Sequence, residues 1–593
     1  MTYRAPVEDI LFAMRHVAGL DEGIAAGYLA DLGDGMAEAV LDEAAKFAES
    51  RIAPLNKVGD REMSRLVDGK VVTPKGFAEA YRDWAAGGWA SLAAAEAHGG
   101  QGLPMLLSTA CTELWNAANL AFALNPLLTQ GAVEALTAHG SDYLQKTYLP
   151  KMISGEWTGT MNLTEPQAGS DLALLTARAE PVGDGTYRIF GQKIFITYGD
   201  HDITENIVHL VLARLPDAPP GTRGISLFVV PKFLLNADGT PGKRNDVRCH
   251  ALEHKLGIHA SPTATMIYGD EGGAIGWLVG EENKGLNCMF TMMNNARLGV
   301  AVQGVAVADR AYQQALWYAK DRKQGKAVGA PSTSPIVEHP DVKRMLLEMR
   351  TKTAAARALC LATAVGLDRY HRLEGEASKA AHEEASLLTP VAKGFSTDIG
   401  IEVASIGVQI HGGMGFVEET GAAQHYRDAR ILAIYEGTNG IQAIDLVTRK
   451  LPLSGGATVK AMLGRLRASA EAARAVNEPA FGKMGARLVE AVESLERTTA
   501  YMLTTLKSAP NDALAGATPY QRLFGLAAGG CFLAEQALAA RTAMAAGDTN
   551  PRHATRIADA RFFAENLASA ASGLETTILE GADSVNAFAT AAE

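Results

Sequence analysis

A glutamate set between an aromatic residue and a glycine, after an apolar run, is a carboxylate short of water. Glu436 has that setting in Ile434-Tyr435-Glu436-Gly437-Thr438-Asn439. Partial desolvation disfavours the charged form and lifts a carboxyl pKa toward the range useful for a general base. The competing reading is a helix-start glutamate placed near an N-terminal dipole. Upstream lies Gln409-Ile410-His411-Gly412-Gly413-Met414-Gly415-Phe416, followed by Arg427-Asp428. Its closely spaced glycines point to a backbone route that other residues follow with difficulty.

Two further segments could serve a ligand. Leu163-Thr164-Glu165-Pro166-Gln167-Ala168-Gly169-Ser170-Asp171 supplies hydroxyls, and Gly169 admits close backbone approach. Exposed N–H groups in such a turn suit an anion such as a pyrophosphate; the alternative is a loop with ordinary turn chemistry. Lys193-Ile194-Phe195-Ile196-Thr197 reads as a strand. Strict alternation puts Lys193, Phe195 and Thr197 on one face, where an aromatic and a hydroxyl could flank a planar ring. Simple cross-strand packing is the alternative.

Elements that position these segments can be read from periodicity. Residues 1–157 read as helical, with 1–34 as an N-terminal extension and 35–157 as a helical domain. From 158 to 280 come short β-rich runs, Tyr187–Thr197, Ile207–Arg214, Gly224–Val230 and Thr263–Tyr268, separated by Gly, Pro and Asp clusters. Helical spacing returns over 281–450, a second helical domain. Pro452–Gly456 reads as a linker, and 451–593 as an additional Ala-rich helical domain. The expected class is α+β multidomain: helices, a mainly antiparallel β domain, a helical bundle and further helices. That order is unlike an alternating βαβ chain. A GxGxxG fingerprint in a strand–turn–helix setting is missing, which argues against a Rossmann dehydrogenase.

Composition narrows the function. The chain has 593 residues and a formal net charge of −11, against a general grip on nucleic acid. From Leu451 onward 13 Lys and Arg face 14 Asp and Glu, so no basic tail serves that purpose either. The five cysteines are scattered and form no CxxC, as expected of free buried thiols in a reducing compartment. Cys249, His250, His254 and His259 lie close in sequence but lack zinc-site spacing, so no metal is expected. The N-terminus lacks the apolar core of a signal peptide. The nearest approach to a membrane span, Leu523–Ala540, is interrupted by Glu535 and Gln536 and reads as a buried helix. A cytoplasmic protein with no integral span is expected.

Taken together, the T-E-P-x-A-G-S-D and Y-E-G-T segments, in this order and spacing, resemble the acyl-CoA dehydrogenase family from about Ala37 to Val447. The resemblance implies FAD as cofactor and α,β-dehydrogenation of an acyl-CoA thioester. Glu436 is then the catalytic base. Some members carry the acid just before the arginine matched here by Arg297, but this chain has Ala296 there. Arg297 is implied near the base and substrate. Leu163, Thr164, Gly169, Ser170, Phe195, Thr197 and Thr438 are implied at the flavin, with Phe195 where many members have tryptophan. Ser170, Tyr435 and Gly437 are implied at the substrate. Arg322 and Gln324 match a pair that reaches the adenine end of FAD, although the usual following phenylalanine is missing and a Gly/Pro/Ser-rich insertion, Val328–Pro335, follows. Gln409, Gly412 and Gly413 match a segment that completes the FAD site of a partner subunit, which implies a homodimer. An electron-transferring flavoprotein is the implied acceptor.

Length beyond the Y-E-G-T segment and the start Tyr3-Arg4-Ala5-Pro6-Val7 resemble the large bacterial branch that includes 3-(methylthio)propanoyl-CoA dehydrogenases. A short acyl substrate is the expectation. The sequence leaves two other functions open: an acyl-CoA oxidase using O2, and a non-catalytic flavoprotein that binds nucleic acid.

Overall fold

The computed structural model describes residues 3–588. They divide into a β-rich unit, Lys46–Leu103 with Ala118–Gly299, and a helical unit made of the rest.

In the β-rich unit, helix α1 (Leu120–His139) precedes the main sheet, whose strands are β1 (Trp157–Asn162), β2 (Arg178–Pro181), β3 (Tyr187–Thr197), β4 (Asn206–Arg214), β5 (Ile225–Pro231), β6 (Val247–Leu252), β7 (Thr263–Tyr268) and β8 (Ala274–Val279). The order across the sheet is β6-β7-β3-β8-β5-β4-β1, with β2 bonded to β3 and β4. Antiparallel pairing dominates, as the hairpin-like spacing predicts, but β1 and β2 each run parallel to β4. β4 and β5 are buried along nearly their whole length, which is why they read as continuous apolar runs rather than alternating ones. α1 packs on β1 at Gly159, where an added Cβ would stand 2.5 Å from that of Ala132. A short hairpin, Arg65–Val67 with Lys70–Val72, interrupts the stretch read as all helical. Its turn residues Asp68 and Gly69 both carry positive φ, the backbone that a two-residue hairpin needs.

The helical unit is built on α2 (Gly285–Asp321, from Val300 onward), α3 (Pro340–Arg372) and α4 (Gly375–His411). α2 and α4 approach closely at Gly304, where a Cβ would stand 2.2 Å from the Ser396 carbonyl oxygen. Next come α5 (Ala422–Ala429) and the seven-residue α6 (Asn439–Asp445). The Ala-rich C-terminal stretch forms α7 (Ala457–Arg474), α8 (Met484–Ser508), α9 (Ala517–Ala545) and α10 (Arg552–Asn566).

α9 is long and apolar enough to cross a membrane by length and composition, yet 83% of its most apolar window is buried in the bundle. Gly525, Gly529 and Gly530 let it press on Phe395, Ala355 and Leu488, so small residues allow contact with α4, α3 and α8. Pro452–Gly456 is no loose linker. Its backbone turns through left-handed residues, Ser454 at φ 46° and Gly455 at φ 67°, and the Ser454 hydroxyl donates to Glu383 at 2.8 Å. The N-terminal segment is also held: Tyr3 is buried, and Gln313 bonds both the N–H and the carbonyl of Arg4 at 3.1 and 2.7 Å. Behind it, Arg357 pairs with the buried Glu113 at 2.7 Å.

Candidate active site

The segment 163–171 and strand β3 are tied together inside the β-rich unit. Ile194 N–H donates to the Thr164 carbonyl at 2.9 Å, and the Lys193 ammonium to the Leu163 carbonyl at 3.0 Å. Lys193 also pairs with Glu165 at 2.8 Å, both side chains being essentially unexposed. The same carboxylate accepts from Thr176 N–H, the Thr176 hydroxyl, Ala177 N–H and Gln167. Burial pushes the Glu165 carboxyl up, but Lys193 and the Thr176 bonds outweigh it and hold it well below the usual range. Sequence reasoning does not join Glu165 and Lys193 as a pair. The available signal is a lysine inside an apolar strand, directly after Gly191-Gln192.

The expected common face of Lys193, Phe195 and Thr197 does not form. β7 and β3 pair Ala264 with Ile196 and Met266 with Lys193, leaving one residue opposite two. This β-bulge, with Phe195 at φ +60, breaks the alternation. Lys193 and Ile196 turn inward, whereas the Phe195 ring is 60% exposed. Thr164 and Thr197 are half-buried, and Gly169 and Ser170 are exposed. The bulge thus presents a flat apolar ring beside the pinned Thr164 segment and an open backbone.

In the helical unit, the chain between α5 and α6 makes a tight turn. Glu436 and Gly437 both adopt positive φ, 54° and 83°. For a non-glycine residue this costs on the order of 1–2 kcal/mol and persists only where surroundings impose it. Gln442, fully buried, donates to the Glu436 carbonyl at 3.1 Å. Thr438 caps α6, its hydroxyl accepting from Ile441 N–H at 3.3 Å. The Tyr435 hydroxyl bonds Gln303, and burial drives its pKa far up, so it stays a neutral donor. Arg427 pairs with Glu418 at 2.8 Å.

Gln409, Gly412 and Gly413 are exposed at the end of α4, and nothing lies within 4 Å of an added Cβ on either glycine. His411 stacks on Tyr318 at 4.4 Å, which brings this segment beside the end of α2. There Arg322 and Gln324 are exposed and bonded to each other at 3.3 Å. The Val328–Pro335 insertion folds back, with Ile336 N–H on the Arg322 carbonyl at 2.8 Å. Trp317, Met414, Phe416 and Val417 are exposed in the same region. Arg297 is buried on the part of α2 that belongs to the β-rich unit. Near the Cys/His run, His259 pairs with Asp60 at 2.9 Å and Cys249 donates to the Ala251 carbonyl.

Comparison with known proteins agrees along the whole chain. The acyl-CoA dehydrogenase N-terminal, middle and C-terminal domain models match residues 36–156, 160–270 and 283–451. A model described as acetyl-CoA dehydrogenase C-terminal like matches 462–589. A 3-methylmercaptopropionyl-CoA dehydrogenase of Ruegeria pomeroyi is 48% identical over 587 residues, 99% of each chain. A broad-specificity linear acyl-CoA dehydrogenase of Mycobacterium tuberculosis is 33% identical over 95% of each. The fold is shared with an acyl-CoA dehydrogenase of Bacillus anthracis solved with FAD, at TM-score 0.74 and 21% identity over 93% of this chain and 89% of that one. The chain belongs to the acyl-CoA dehydrogenase family.

Proposed function

We propose that this protein is an FAD-dependent dehydrogenase of short acyl-CoA thioesters, with Glu436 as the base and 3-(methylthio)propanoyl-CoA as a preferred substrate. The observation that carries the chemistry is the Glu436 turn: a carboxylate on a strained left-handed backbone, held by a buried glutamine. Strain of this kind collects where a group must be aimed. The 48% identity to the Ruegeria enzyme supports the acyl group.

The cradle residues fit a flavin: an exposed flat ring at Phe195, hydroxyls at Thr164 and Thr197, and open turn backbone at Gly169 and Ser170 for a pyrophosphate. FAD bound there supplies the acceptor for the hydride that leaves the β-carbon. Glu436 removes the α-proton, and its backbone N–H donates to the thioester carbonyl as negative charge builds on that oxygen. Tyr435 and Gly437 border the acyl group, and Arg297 supports the site. Arg322 and Gln324 take the adenine end. Gln409, Gly412 and Gly413 complete the cofactor site of a second copy. The exposed Trp317, Met414, Phe416 and Val417 support that homodimer, since clustered apolar surface marks an interface. The electron acceptor is an electron-transferring flavoprotein rather than O2, and the enzyme works in the cytoplasm, consistent with its free, buried cysteines.

Glu436→Gln tests the base. Turnover should fall by about 10²–10⁴-fold while FAD and CoA-ester binding survive, and a variant keeping more than roughly a tenth of wild-type turnover places the base elsewhere. kcat/KM across butanoyl-, octanoyl-, hexadecanoyl- and 3-(methylthio)propanoyl-CoA tests the acyl group; preference for hexadecanoyl-CoA refutes it. Peroxide released at the rate of turnover would refute the acceptor.

A further inference from the structure

A lysine with no exposed surface must place its ammonium against oxygen atoms, because withdrawing that charge from water is costly. Lys393 is such a residue, on α4 within the run Leu387–Phe395, where Thr389 is the other polar side chain. Its Nζ donates to the Gly437 carbonyl at 2.9 Å and to Asn439 Oδ1 at 2.9 Å. The Asn439 amide is thereby oriented, and its Nδ2 donates to Asp398 Oδ1 at 2.7 Å and to Thr397 Oγ1 at 3.0 Å. One amide therefore links the buried cation to a carboxylate on the same helix. Gly437 directly follows Glu436, and both have positive φ. The two successive carbonyls of this turn are held from inside the bundle: Glu436's by Gln442, and Gly437's by Lys393 at 2.9 Å with a longer second bond from Gln442 at 3.4 Å.

The helix turn that carries Lys393 is itself fixed from behind by α9. Gln521 Nε2 donates to the Pro390 carbonyl at 2.8 Å, and a Cβ on Gly394 would stand 2.2 Å from Gln521 Oε1. A Cβ on Gly525 would stand 2.3 Å from the Phe395 ring. Little room is left for this turn of α4 to shift.

We propose that Lys393 is a positioning residue: by holding the Gly437 carbonyl it aims the Glu436 carboxylate at the α-carbon of the substrate. The proposal rests on Glu436 being the base. A purely structural lysine would change stability alone, so the test reads the proton-transfer step. Lys393→Met keeps the length and removes the donor, and Lys393→Gln keeps a neutral donor. With holoenzyme, Lys393→Met should retain bound FAD and bind a non-reactive CoA thioether within about twofold of wild type. Its kcat should fall about 10²-fold, the penalty for a reacting group misplaced by about 1 Å. The α-deuterium isotope effect on kcat should rise, because proton abstraction becomes slower than the other steps. Lys393→Gln should recover at least about tenfold of the lost kcat. Wild-type kcat and isotope effect in flavin-replete Lys393→Met would overturn the proposal. If that variant does not fold, Lys393→Leu carries the same test, since it too lacks the donor, and a wild-type kcat and isotope effect in it overturn the proposal. Glu436→Gln is run alongside. If it stays active, the base assignment falls whatever Lys393 does; if it is inactive while Lys393→Met is fully active, only the positioning role falls.

Discussion

Replacing Lys193 by methionine would strand the Glu165 carboxylate, 2% exposed, with four neutral donors and no countercharge. The carboxyl can escape by taking a proton. At pH 7, for a group with an unfolded pKa near 4.3, that costs about 3.7 kcal/mol; at pH 5 it costs about 1 kcal/mol. In the wild type the folded Glu165 pKa lies below its unfolded value, at about 2, because Lys193 and the Thr176 bonds outweigh burial. Its contribution is therefore fully present above the unfolded pKa and is lost only as pH falls toward 2. Burial lowers Lys193 to about 8, against the pull of Glu165, so it too keeps its charge from pH 5 to 7. The pair is thus flat across that window in the wild type and steep in the variant. Lys193→Met should lose about 3 kcal/mol at pH 7, and about 1–2.5 kcal/mol less at pH 5. Adding Glu165→Gln should restore most of the loss and flatten the dependence, since an uncharged pair needs no compensation. Urea unfolding of the three proteins, followed by circular dichroism at both pH values, measures this. Equal losses at pH 5 and 7, or a double variant no better than the single one, would refute the reasoning.

Two other substitutions probe the packing. Gly304→Ala drives a methyl to within 2.2 Å of the Ser396 carbonyl oxygen and forces α2 and α4 apart, so it should cost about 1–3 kcal/mol; an unchanged thermal midpoint refutes that close approach. Burial raises the Glu134 carboxyl on α1 to about 8, above its unfolded value, so its favourable contribution is full below the unfolded pKa and is lost as pH rises to about 8. Glu134→Gln should remove that loss and narrow the difference in thermal midpoint between pH 5.5 and 8.5; an unchanged difference places the charge in water.

Period and turn chemistry made the layout of helices, strands and helices legible, because apolar spacing changes with secondary structure. The alternation rule fails at Phe195, where a bulge inserts one residue against β7 and reverses the facing of Ile196 and Thr197. The hairpin at 65–72 escapes a reading by period although Asp68-Gly69 is a turn signal, since its strands are only three residues each. Lys393 is a lone charge in an apolar run, but its partner Gly437 lies 44 positions on, and only the fold joins them. Pro452–Gly456 resembles a linker because its anchor, Glu383, is 71 residues from Ser454. The candidate base is the most legible residue, because its neighbours in sequence make its turn; the donors that hold the turn come from α4 and from α6 itself.

The apolar helix α9 also bears on how the chain is made. Emerging alone from a ribosome, its 29 residues would meet the length and hydropathy criteria of a membrane insertion signal. Of the helices it packs against, α3, α4, α7 and α8 are synthesised before it, whereas α10, which packs along it most extensively, follows. α9 therefore leaves the ribosome with one part of its receptor surface already translated, and stays apolar and open on its other side until α10 and the short helix Ala571–Glu580 arrive. Moving α9 ahead of its partners by circular permutation should make nascent chains dependent on chaperones or divert them to membranes, with the finished fold unchanged.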